Sequence, residues 1–149
     1  MSSEKLNRLE QWFANNQEKA LALIAEHVEP DEEVLHYATG WRYPPDVLSW
    51  IPLVGTIIDA SKKRYLLAAT AAKFIIIRMK KFRFEEISSE IIPMGEIHTS
   101  AVNKFPFFCN LRVELANGKK HVFKELPYEW AAGLKDAIDQ AQGKPSTVD

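Results

Sequence analysis

Apolar residues recur every three or four positions at the two ends of the chain. Through the middle they fall in short runs or alternate, which predicts helix, then strands, then helix. Over residues 3–28, Leu6, Leu9 and Phe13 share one face, and Leu21, Ile24 and Val28 continue the stripe. Ser2 or Ser3 suits an N-cap, and Glu4 places a negative charge in the first turn, where the helix dipole favours it. Asn15-Asn16 weakens the middle, so one helix and two shorter helices are both compatible with the pattern. Val28-Glu29-Pro30 ends it, because the residue before proline avoids α geometry.

Extended segments follow. Val34 to Trp41 reads as a first strand, broken at Pro44-Pro45; Arg64 to Ala69 and Lys73 to Met79 read as the second and third. Phe74-Ile75-Ile76-Ile77 is an unbroken run of β-branched and aromatic residues, as expected of a strand buried on both faces. Lys80-Lys81-Phe82-Arg83 marks a turn, and Glu85 to Ile92, Ile97 to Val102 and Phe107 to Leu115 read as the next three strands. In the last of these Leu111, Val113 and Leu115 alternate with Asn110, Arg112 and Glu114. Asn117-Gly118 predicts a hairpin with a type I′ turn, leading into Lys119 to Phe123. After Pro127 a helix is expected over Tyr128 to Gln142, apolar at Trp130, Leu134, Ala137 and Ile138 and wet at Glu129, Lys135, Asp136 and Asp139. Gly143 and Pro145 stop it.

The 149 residues suffice for one domain that buries roughly 68–70% of its unfolded surface. Apolar content of 46% argues against wholesale disorder. With 19 basic and 20 acidic residues the net charge is −1, so nucleic acid is not an expected partner and an anionic surface would need a local basic patch. A single cysteine, Cys109, excludes an intrachain disulfide, and its neighbours Phe107 and Phe108 point to a buried thiol. Met1-Ser2-Ser3-Glu4-Lys5 lacks the basic-then-apolar layout of a signal peptide, and no run reaches the roughly 18 apolar residues of a spanning helix, so a cytoplasmic protein is expected.

Chemistry is sparse. His27, His36, His98 and His121 are far apart in sequence and show no metal spacing, although His36 and His121 could approach across a barrel. Glu85-Glu86 and the Lys80–Arg83 cluster read as solvated charge, and no glycine-rich phosphate loop occurs. No enzyme, cofactor or metal is expected.

Asp31-Glu32-Glu33-Val34-Leu35, Tyr65-Leu66-Leu67-Ala68-Ala69-Thr70, Lys73 to Ile77, and Ile91-Ile92-Pro93-Met94-Gly95-Glu96-Ile97 carry a resemblance, completed by the closing hairpin and the helix around Trp130. Over roughly residues 31–142 the chain resembles the bacterial pleckstrin-homology-like families. The resemblance implies a mainly β fold with helices: a seven-stranded bent antiparallel barrel or sandwich capped by a C-terminal α-helix. The helical segment 1–30 would precede a domain spanning 31–143, with a tail over 144–149. It also implies a scaffold that binds lipids, peptides or proteins, or that assembles. Lipid-binding relatives place basic residues at the end of strand one and entering strand two. Arg42, Lys62, Lys63 and Arg64 occupy those positions here, but residues 43–61 between them are long, lack a basic residue and include Asp46 and Asp59.

That connection is itself unusual. Loops are ordinarily polar, yet Trp50, Ile51, Leu53, Val54, Ile57 and Ile58 fall within it. Leaving all of them in water would forgo on the order of 10 kcal/mol, at ~1.5–3 kcal/mol per side chain. Their cover is the chain itself, a neighbouring subunit or a membrane interface. The function expected is a non-catalytic module for protein–protein or self-association. The alternative is a peripheral lipid-binding domain with Arg42, Lys62, Lys63 and Arg64 at the headgroups.

Overall fold

A computed structural model describes residues 3–42, 63–81, 83–104 and 108–144. Seven strands form one antiparallel sheet in the order β4-β3-β2-β1-β7-β6-β5. They are β1 (Val34–Arg42), β2 (Lys63–Thr70), β3 (Lys73–Met79), β4 (Glu86–Pro93), β5 (Ile97–Lys104), β6 (Cys109–Leu115) and β7 (Lys120–Leu126). Two helices, α1 (Ser3–Asn15) and α2 (Gln17–Ala25), precede the sheet, and α3 (Tyr128–Ala141) follows it. This is the expected mainly β fold with helices, seven antiparallel strands followed by a C-terminal α-helix. The sheet does not close: β1 and β7 are paired at Trp41 and Lys124, and among the described residues β4 and β5 each lack a second neighbouring strand. No described helix is long and apolar enough to cross a membrane.

Side-chain alternation explains the two layers of core. Leu67, Ala69, Phe74 and Ile76 point inward with Ile92, Leu111, Val113 and Phe123, and Leu134 and Ile138 of α3 fill the remaining space. Leu66, Ala68, Ile75, Ile77 and Met79 point to the opposite face, where Phe13 of α1 and Ala20 and Ile24 of α2 cover them. The continuous apolar run of β3 is thus buried on both sides. At Gly40 a Cβ would lie 2.9 Å from Leu126 Cδ1 and 3.4 Å from Phe123 Cβ, so β1 and β7 meet there only because the side chain is absent.

Asn16 separates the first two helices. Its Nδ2 donates to the Trp12 carbonyl at 2.7 Å while its own carbonyl accepts from the Ala20 amide at 3.0 Å. The weak Asn15-Asn16 point is therefore a joint between two short helices. The β6–β7 hairpin forms at Asn117-Gly118, but positive φ occurs at Gly118 (87°) and not at Asn117. The Gly118 amide donates to the Leu115 carbonyl at 2.9 Å, a type I turn followed by a left-handed glycine rather than the expected type I′. At the end of α3, Gly143 is left-handed and the Lys144 amide donates to the Asp139 carbonyl at 2.8 Å, which satisfies the last carbonyls in a Schellman arrangement.

Asp139 corrects the helical wheel. Expected on the wet face, it is buried and accepts from Lys135 Nζ at 2.6 Å. More of α3's circumference is covered than one stripe requires, since Gln142 also reaches the carbonyls of Met94 and Ile97 at 3.2 and 2.6 Å.

Candidate functional site

The expected apolar surface, Trp50, Ile51, Leu53, Val54, Ile57 and Ile58, lies outside the described residues, as does Lys62. Among the basic residues, Arg42 and Lys63 are directly opposite each other where β1 meets β2, and Lys63 is exposed. The Arg42 guanidinium stands 5.6 Å from the ring centres of both Tyr65 and Phe123.

Arg42 Nη1 is also 3.2 Å from His121 Nδ1. Arginine can only donate, so Nδ1 is the acceptor and the neutral ring carries its proton on Nε2. That nitrogen is buried and has no hydrogen-bond partner; the nearest carboxylate oxygen, Glu90 Oε1, is 3.8 Å away. Lys119 Nζ lies 3.4 Å from the same oxygen. Burial lowers the His121 pKa, Glu90 opposes that shift, and Arg42 and Lys119 add to it. Three donors therefore gather at one end of the sandwich: Arg42, Lys119 and the Nε2–H of His121. Lys119 and His121 were not among the expected site residues, although a basic pair and a histidine directly after the Asn117-Gly118 turn were a usable signal.

Arg64 does not join them. It is one residue from Lys63, so it projects to the opposite face, where it is 5% exposed beneath α1. Its guanidinium carbon sits 3.8 Å from the Trp41 ring centre and 4.9 Å from that of Trp12, and Nη1 donates to Thr39 Oγ1 at 3.2 Å. Burial lowers its pKa to about 10, partly offset by Glu125, so it stays charged at neutral pH. The expectation that Arg64 touches headgroups is corrected: it fastens α1 to the sheet.

His36 and His121 have separate surroundings. His36 packs against Gly133 of α3 and hydrogen-bonds the backbone of Trp130, whereas His121 belongs with Arg42 and Glu90. Cys109 is buried, as expected.

The exposed large apolar side chains among the described residues are Leu21 of α2 and two on β4, Ile87 at 50% and Ile91 at 41% exposed. The β4 pair lies on the strand that ends the sheet. A β-bulge where Arg78 and Met79 pair with Ser88 and Glu86 leaves Ile87 without its own partner on β3. Beside it, Glu86 Oε1 lies 2.6 Å from His27 Nε2, and ligand atoms of Glu26, His27 and Glu86 all fall within 4.8 Å of one another.

No family model and no curated protein matches the chain. Among the solved structures similar to it are two domains. One is the C-terminal domain of an unknown protein from Leishmania infantum, 11% identical, with a TM-score of 0.49 over 87% of this chain and 98% of that one. The other is the hSac2 domain from human phosphoinositide phosphatase Sac2, 10% identical, with a TM-score of 0.48 over 87% and 85%. Likenesses this distant carry no argument about function.

Proposed function

We propose that the chain is a non-catalytic, pleckstrin-homology-like assembly module that pairs with a second copy of itself along the free edge of β4. The observation that carries this reading is the pair of exposed isoleucines, Ile87 and Ile91, on a strand whose outer edge has no neighbour among the described residues. An unpaired edge offers a row of backbone donors and acceptors to another strand.

The sequence of β4, Glu-Ile-Ser-Ser-Glu-Ile-Ile-Pro, favours one self-complementary register. Two-fold antiparallel pairing requires residues of like orientation to face each other. Centring on Ser89 sets Ile87 opposite Ile91 of the second copy and Glu90 opposite Ser88. Centring on Ser88 or Glu90 instead sets glutamates against one another, which is unfavourable. Light scattering should show a dimer, and Ile91→Asp should give a folded monomer. A wild-type monomer at high micromolar concentration contradicts the proposal.

A second reading is favoured by the donors around His121: an anionic headgroup held by Arg42, Lys63 and Lys119 at a membrane surface. It requires sedimentation with anionic vesicles that Arg42→Glu abolishes. Unaltered sedimentation, or none at all, removes this reading.

A further inference from the structure

We propose that Glu26, His27 and Glu86 bind a divalent transition-metal ion of the zinc type, clamping the end of α2 to the start of β4. The three residues come from segments about sixty positions apart, with His27 and Glu86 separated by 59 in sequence. The fold alone unites them. The Glu26 amide donates to the Leu23 carbonyl at 3.3 Å and the His27 amide to the Ile24 carbonyl at 2.9 Å. This tight final turn holds consecutive side chains where both reach β4. His27 and Glu86 are shielded, with side chains 17% and 26% exposed, while Glu26 is at the surface and leaves a path from solvent.

The donors suit the ion. One imidazole nitrogen and two carboxylates are borderline ligands that zinc accepts, and three protein ligands leave a fourth position for water. The imidazole disfavours calcium and magnesium, which take oxygen. Tetrahedral coordination at about 2.0–2.2 Å per ligand sets neighbouring donors about 3.3 Å apart. The His27–Glu86 pair, now at 2.6 Å, has to open by less than one ångström and release the shared proton. The site does not depend on self-association.

Titration of the full chain with zinc chloride at pH 7.5 should show one ion per chain. Affinity should fall at least tenfold in His27→Asn and in Glu86→Gln, and less in the exposed Glu26→Gln. Zinc should also raise the melting temperature of the wild type, and EDTA should reverse the rise. Circular dichroism melts in EDTA check that each variant folds. Absence of stoichiometric binding, or wild-type affinity retained in folded His27→Asn and Glu86→Gln, overturns the proposal.

Discussion

At the residue scale, three ionisable groups, His121 buried and His36 and Glu32 partly so, make the protein sensitive to acid. Burial lowers the pKa of His36, against the Trp130 backbone hydrogen bond and Asp136, and it likewise lowers that of His121. Burial raises that of Glu32, but hydrogen bonds from Thr70, the Glu29 amide and Lys73 outweigh it, and the net shift is downward. Below the ordinary histidine value of 6.5 the unfolded chain takes up protons that the folded imidazoles refuse. Stability is therefore level above that pH and falls below it. Glu32 adds a further loss as pH drops below the ordinary 4.5 and through its folded value. Urea unfolding at pH 8.0, 6.5 and 5.0 should show this decline, shallower in His121→Asn.

Gly133 gives a sharper test at the same scale. In an ordinary helix interior, alanine for glycine gains about 1 kcal/mol. Here the added Cβ would collide with the His36 ring. Gly133→Ala should destabilise by about 1–3 kcal/mol, and adding His36→Ala should recover most of that loss. Independent effects in the double-mutant cycle contradict the contact.

At the element scale, the N-terminal helices serve as a second cover for the sheet. Phe13 lies 4.8 Å from the Trp130 ring centre and 5.7 Å from that of Tyr37, joining α1 to α3 and β1. With Phe13 5% exposed, Phe13→Ala should cost about 3–5 kcal/mol. Each kcal/mol corresponds to about 2–4 °C of melting temperature at this chain length, so calorimetry reads the effect directly. A shift under 2 °C contradicts a load on this contact.

Element identities were legible because periodicity and turn residues agreed. Lys73–Met79 was read residue for residue, and its run of four large apolar residues foretold burial on both faces. What covers the second face was not legible. Periodicity gives α1 an apolar stripe without a destination, and pairing Phe13 with Trp130 needs the tertiary fold. Arg64 illustrates the same limit: adjacent basic residues look like one patch until strand alternation sets Arg64 on the face opposite Lys63. The Glu26, His27 and Glu86 cluster had no sequence signal, because its ligands meet only when the end of α2 comes up against the start of β4.

At the scale of the whole molecule, the sheet that wraps around α3 stops short of closure among the described residues and leaves β4 as its border there. Much of that strand is polar, and proline ends it, which limits promiscuous pairing. Ile87 and Ile91 are the exposed apolar exceptions, and only a Ser89-centred two-fold matches them to each other. In that register the two Ser89 Cα atoms stand about 4.5–5.5 Å apart, within the span a disulfide bridges. The most direct measurement is therefore oxidative crosslinking of Ser89→Cys in a Cys109→Ala background, with Ile91→Asp added as a control. A rapid covalent dimer of the folded protein, suppressed by Ile91→Asp, is the expected result; a chain that stays monomeric, or crosslinks equally well with Ile91→Asp, contradicts assembly through β4.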